Sequence, residues 1–167
     1  MIQKYSSKDT SINVINKVYK QCSFHEGCTV FDYGGGKYDT NRDYMKKIYN
    51  AELYVYDKYN RSEEENHTAV MKAVENTPDY IVCSNVLNVI MEESIIDQIL
   101  SHIASFHASI VYIAIYEGDK SGTGKETKKG WQRNQKSEEY AMVIKKHFHI
   151  ESKNGNIFTL SPLKRSF

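Results

Sequence analysis

The chain has 167 residues, 40% of them hydrophobic, with 13 tyrosines, two prolines and a net charge of +1. This composition fits one ordered domain large enough to bury a core, and it excludes a polycation, so any basic feature must be local. No apolar run approaches the ~20 residues that span a bilayer, and Met1 to Ser7 carries no signal-peptide core, so the expectation is a cytoplasmic protein with no membrane partner.

No internal repeat or low-complexity segment interrupts the chain. Its first expected element is a helix from Asp9 to Gln21. Asp9 or Thr10 caps it, and Ile12, Ile15, Val18 and Tyr19 share an apolar face. Cys22-x-x-His25-x-x-Cys28 could ligate zinc, but no fourth ligand is evident nearby. With Cys83 the cysteines number three and include no Cys-x-x-Cys pair. The plainer reading is a short loop, with Cys28 and Cys83 as small buried residues.

Thr29-Val30-Phe31-Asp32 then reads as a strand ending in an acid, followed by Tyr33 and three consecutive glycines, Gly34-Gly35-Gly36. A helix from Tyr38 to Ile48 comes next, with Tyr38, Met45, Ile48 and Tyr49 as its apolar positions. Strand, glycine turn and helix let a backbone approach a nucleotide-like ligand closely, with helix-first amides facing it. Glu52 to Asp57 is a second strand ending in an acid. Asp57 follows Gly36 by 21 positions, close to the spacing of a carboxylate that grips ribose hydroxyls.

Lys58 to Asn66 reads as a polar loop, and Thr68 to Glu75 as a short helix on Val70, Ala73 and Val74, stopped by Pro78. Asp79 to Ser84 is a buried strand that leads into Asn85-Val86-Leu87-Asn88. From Glu92 to His107, Ile95, Ile96, Ile99, Leu100 and Ile103 recur at helical spacing. Ser109 to Tyr116 is apolar nearly throughout, as for a strand covered on both faces. A polar loop from Glu117 to Lys136 precedes a helix capped by Ser137 and buried through Tyr140, Val143 and Ile144. Asn154-Gly155 between two alternating runs, Phe148–Ser152 and Ile157–Leu160, then signals a hairpin.

Strand–helix alternation through Tyr116 implies a parallel sheet with right-handed crossovers. With a terminal antiparallel hairpin added, the chain from Thr29 onward resembles the class I S-adenosylmethionine-dependent methyltransferases. The resemblance implies a Rossmann-like α/β fold, mostly parallel, as a single domain over 1–167: an N-terminal helix and lead-in over 1–27, and a core over 28–167. It implies S-adenosylmethionine as cofactor and S-adenosylhomocysteine as product. Asp32-x-Gly34-x-Gly36 resembles the acid-x-Gly-x-Gly loop around the methionine end, and Asp57 the ribose acid. Ser84-Asn85-Val86-Leu87-Asn88 resembles the segment where cofactor and acceptor meet. The cofactor contacts so implied are Asp32, Tyr33, Gly34, Gly35, Gly36, Tyr38, Asp57, Lys58, Ser84 and Asn85. Gly118 to Asn134 is similar to small phage and bacterial members, some beside DNA-modification genes.

Two departures stand out. Tyr38 replaces the third family glycine, and between Asp57 and Asp79 there is no room for the usual third strand. Ser84-Asn85 is also not the Asp/Asn-Pro-Pro-Tyr motif of amino-methylating DNA enzymes. Asn85 and Asn88 are the candidate catalytic residues, orienting an acceptor through amide hydrogen bonds. A cap and a turn at a strand–helix junction is the other reading.

The 119–136 segment holds six basic residues against two acids, +4 in a molecule of +1, around the only tryptophan. It leaves the carboxyl end of a strand, on the glycine-loop side. Trp131, Gln132, Arg133 and Asn134 are therefore candidate substrate residues for a nucleic acid or other anionic acceptor; a solvated mobile loop is the alternative. Two rival functions remain. An NAD-type dehydrogenase lacks its third glycine and a substrate domain here, and a non-catalytic methyltransferase-like domain would bind S-adenosylmethionine, nucleic acid or a protein without turnover.

Overall fold

A computed structural model describes residues 2–8 and 10–164. Its centre is a six-stranded sheet: β1 (Thr29–Tyr33), β2 (Glu52–Tyr56), β3 (Tyr80–Ser84), β4 (Ile110–Ala114), β7 (Phe148–Asn154) and β8 (Ile157–Pro162). The strand order is β2-β1-β3-β4-β8-β7. The first four strands are parallel, and β8 is antiparallel to both β4 and β7. The sheet thus has the mostly parallel form with a C-terminal antiparallel hairpin that the sequence implied. The third family strand is missing among the described residues, since β2 forms the edge and only α3 (Glu63–Glu75) lies between β2 and β3.

Alternation along the strands divides the core into two layers. Phe31, Ile81, Val111 and Ile113 face α3, α4 (Glu93–Ala104) and α5 (Ala141–Lys145) in one layer, with Leu100, Ile103 and Ile144. Val30, Val82 and Tyr112 face α1 (Lys17–Gln21) and α2 (Thr40–Tyr49) in the other, with Val18, Tyr19 and Met45. Thr29 and Asp79 clasp the base of β1 to β3: the Thr29 amide donates to Asp79 Oδ2 at 2.8 Å and the Asp79 amide to the Thr29 carbonyl at 3.0 Å.

Several element boundaries differ from the sequence expectation. Helix α1 begins at Lys17, not Asp9, because Asn16 is its cap: its side chain accepts from the Val18 amide at 2.9 Å. Asp9 lies outside the described residues, Thr10 precedes the helix, and Ile12 is exposed. Helix α2 begins at Thr40, leaving Tyr38 before it, and Ile48 faces solvent. Helix α3 starts five residues before the expected Thr68, nucleated by a capping box in which Ser62 and Glu65 exchange hydrogen bonds; Val74 faces solvent. The 117–136 segment is not a structureless loop, because β5 (Lys125–Thr127) and β6 (Gly130–Gln132) pair as a hairpin. Ser137 opens a short 3-10 turn, Ser137–Tyr140, rather than capping a helix; its hydroxyl is buried without a partner. Strand β7 runs on to Asn154, so the hairpin tip narrows to Gly155-Asn156.

Candidate functional site

A cavity of about 550 Å³ opens over the carboxyl ends of β1, β2 and β3. Its floor is the glycine loop. Gly34 has φ +84°, and a Cβ there would lie 2.3 Å from Val86 Cγ2, so only glycine fits. Two side chains fix the far end of the loop. Asp57 Oδ2 accepts from the Gly36 amide at 2.8 Å, while Arg61 donates to the Gly36 carbonyl at 2.8 Å, the Tyr38 carbonyl at 3.0 Å and Asp39 at 2.9 Å.

Asp57 is therefore a loop anchor as well as a cavity residue. Its Oδ1 accepts from the Tyr59 amide, the Asn60 amide and Asn60 Nδ2, each at 3.0 Å. With Gly36 that makes four protein donors on one carboxylate, which leaves little unfilled capacity for ribose hydroxyls. Asn66 of α3 reinforces the corner, bonding the Asp57 backbone on both its N–H and its carbonyl at 2.9 Å.

Asp32 does not line the cavity. It lies beneath the loop, where a Cβ on Gly35 would come 2.7 Å from its Cγ, and it is only 3% exposed. Burial raises its pKa to about 7, against the pull of the Tyr19 hydroxyl and Arg61, with Asp57 adding to the rise.

Residues 3–8 and 10–16 roof the cavity as a strap. Gln3, Ser7, Thr10, Ser11, Ile12, Val14 and Asn16 all line it. Asn16 donates to Ser84 Oγ at 2.8 Å and its amide to Asn41 at 2.8 Å; Thr40 bonds Asn13; and the Lys37 amide donates to Ser11 at 3.1 Å. At its other end the Lys4 amide donates to Glu92 at 2.8 Å, and Tyr5 stacks on Trp131 with ring centroids 5.3 Å apart. Past the loop the cavity reaches α4, where Ile95, Gln98, Ile99 and His102 form one helical face beside Tyr33 and Tyr56. The Tyr33 hydroxyl bonds His102 Nδ1 at 2.7 Å; burial raises the phenol's pKa and lowers that of the imidazole.

Of the residues singled out in the sequence, Tyr33, Gly34, Gly35, Gly36, Tyr38, Asp57, Lys58, Ser84 and Asn85 meet around this cavity. Asn85 is exposed and holds a left-handed φ of +59°, a conformation asparagine tolerates. Asn88 is not with them. It is 2% exposed, its Oδ1 accepts from the Tyr116 amide at 3.4 Å and its carbonyl accepts from the Arg133 amide at 2.9 Å.

The substrate quartet is likewise bound into the fold. Arg133 donates to the Ile90 and Met91 carbonyls at 3.0 and 2.9 Å and to Gln135 at 2.9 Å, and its side chain is only 11% exposed. A guanidinium so held is a brace between the hairpin and the turn before α4, not a phosphate ligand. Asn134 is buried, donating to the Thr123 carbonyl and accepting from the Asp119 amide. Gln132 accepts from the Asn134 amide at 3.5 Å. Trp131 has one face on Tyr5 and Gly124 against its ring, so it is not an open stacking platform. Sequence reading missed Arg61, the strap and the α4 face, none of which carries a motif; only the run of Ser, Thr and Asn from Ser6 to Asn16 hinted at a polar roof.

Among solved structures, the chain superposes on the mitomycin 7-O-methyltransferase MmcR with a TM-score of 0.55 at 14% identity, over 88% of this chain and 52% of that one. It superposes on a chain of the complex between the Haloferax volcanii Trm112 methyltransferase activator and a proposed methyltransferase, with a TM-score of 0.54 at 13% identity, over 83% and 69% respectively. This chain spans about half the length of the first. No family model and no curated protein matches its sequence. The likeness is one of fold: the chain has the mostly parallel, Rossmann-like sheet with a C-terminal antiparallel hairpin that these methyltransferases have.

Proposed function

We propose that the chain binds S-adenosylmethionine over Gly34–Gly36 and directs transfer of its methyl group to an acceptor. One observation carries the reading: in a class I methyltransferase fold, the cavity lies over the glycine loop at the carboxyl ends of β1–β3. Its volume of about 550 Å³ is within the range of small-molecule sites. The donor group supplies an activated methyl on a sulfonium with a very good leaving group, so the protein's task is alignment and dehydration.

The residues suit that task. Ser84, Asn16, Asn41 and Thr40 offer polar partners for the amino-acid end, Tyr33 lines the cavity beside the loop, and Asp32 supports the loop from beneath. Tyr38, beside Lys37, covers the loop from the α2 side. Lys58, Tyr56 and the α4 face are available to the nucleoside end, where the third strand is missing. The strap excludes water. Asn85, with an exposed side chain at the cavity's edge, would orient the acceptor, whereas Asn88 acts through the backbone it holds. The local excess of positive charge in 119–136 favours an anionic acceptor.

Titration calorimetry tests the reading. S-adenosylmethionine and S-adenosylhomocysteine should bind, Gly34→Val should abolish binding, and NAD should give no heat; NAD binding without S-adenosylmethionine binding would overturn it. The burial of Asn88 favours a second reading, a domain that binds the cofactor without turnover. Radiolabelled methyl transfer to RNA, DNA or cell extract separates the two.

A further inference from the structure

The basic segment recognised in the sequence works differently in three dimensions. Arg133 is committed to the Ile90 and Met91 carbonyls, and Lys125 pairs with Asp119 at 3.3 Å. Two of the remaining charges gather elsewhere. Lys128 and Lys129, at the tip of the β5–β6 hairpin, face Lys4 and Lys8 of the strap across a shallow groove that also holds Tyr5, Ser6 and Gly130. All four lysines are exposed, and none makes an ion pair among the described residues. Among the described residues, Glu126 is the only acid on the groove wall.

The groove is a built junction rather than a chance meeting of side chains. Tyr5 stacks on Trp131, and a Cβ on Gly130 would lie 2.7 Å from the Ser6 carbonyl, so the strap and hairpin are in close contact beneath the lysines. The strap also roofs the main cavity through Ser7 and Thr10. A ligand seated on the four lysines therefore touches the element that closes the cofactor site.

We propose that this groove binds the phosphate backbone of a single-stranded nucleic acid and leads it past the mouth of the cavity. The acceptor role rests on the methyl-transfer reading above; the binding does not. Four convergent cations, with one opposing acid among the described residues, fit a run of phosphates. The half-buried Tyr5, which lines the groove and is backed by Trp131, sets an aromatic surface beside the cations, the combination by which single strands are tracked. Phosphate contact on both walls holds strap and hairpin together, so strand and cofactor strengthen each other's binding reciprocally.

The test is fluorescence anisotropy of a labelled 20-nucleotide single strand on the full chain, run without cofactor. Four phosphate contacts give a log–log salt slope of about −2.8, hence a loss of roughly 50-fold between 50 and 200 mM salt. Lys128→Glu/Lys129→Glu should cut the slope by about 1.4, and Lys4→Glu/Lys8→Glu by as much. The charge-matched Lys145→Glu/Lys146→Glu, outside the groove, should leave it nearly intact. No binding at 50 mM salt, an equal loss in that control, or equal retention on phosphatidylserine vesicles overturns the proposal. S-adenosylhomocysteine calorimetry on the same variants reads the cofactor site separately. Unchanged affinity beside lost strand binding supports the groove, and no affinity even in the parent chain refutes the methyl-transfer reading alone.

Discussion

Replacing Asp57 with alanine separates two roles that a strand-end acid can play. If it only gripped ribose, its loss would weaken the ligand and leave the free protein unchanged. The structure gives it four protein donors instead: the Gly36 amide at 2.8 Å, and the Tyr59 amide, the Asn60 amide and Asn60 Nδ2 at 3.0 Å. A hydrogen bond to a charged group contributes about 1.5–3 kcal/mol. Water at the cavity edge replaces part of that, so the equivalent of about two bonds, roughly 3 kcal/mol, should be lost. For a chain of this size each kcal/mol shifts Tm by about 2–4 °C, so the ligand-free variant should melt roughly 6–12 °C lower. Affinity for S-adenosylmethionine should fall as well, about 10- to 100-fold, because the Gly36 turn loosens. Differential scanning calorimetry of the free protein is the deciding measurement. An unchanged Tm with lost affinity would refute the anchoring argument and restore Asp57 as a pure ribose ligand.

The buried Asp32 makes stability depend on pH. Its folded pKa, raised to about 7 from 3.8 by burial, means the folded state holds the proton longer. Its contribution is fully present below about pH 4 and is lost as pH rises through 7; urea melts should show this fall, and Asp32→Asn should flatten it. Asn88→Ala should destabilise by about 1–3 kcal/mol, through the unpaired Tyr116 amide, with cofactor affinity nearly unchanged by calorimetry. Amide exchange should protect Ile157–Leu160 of β8 as strongly as Ile110–Ala114 of β4, because β8 lies inside the sheet between β4 and β7; fast exchange there would contradict the strand order.

What could be read from the sequence was what depends on short-range pattern. The apolar runs of β1, β3 and β4, the helical spacing of α4, the triple glycine and the C-terminal hairpin, though not the residues at its tip, were each legible because neighbours in sequence fix them. The shortened α1 was not. Ile12 and Ile15 match a helical stripe, but Ser11, Asn13 and Asn16 bond Lys37, Thr40, Asn41 and Ser84, which holds the strap across the cavity. The start of α3 was written in Ser62-x-x-Glu65 and passed over beneath its charges. Arg133 and Trp131 had the composition of a nucleic-acid contact, yet their partners, Ile90, Met91 and Tyr5, lie far away in sequence. Asp57 was found for its spacing, while its hold on Gly36 is a tertiary fact.

The strand order also bears on how fast the sheet can assemble. Thr29 and Asp79, which clasp β1 to β3, are 50 positions apart, and the chain between them must carry α2, β2 and α3 round before the clasp closes. At the other edge, β7 and β8 meet across the two residues Gly155-Asn156. Closing a long loop costs entropy that a tight turn does not, so the hairpin can form within microseconds while the parallel centre waits on a rarer encounter. Folding of this chain should therefore be limited at its middle, by the pairing of β1 with β3.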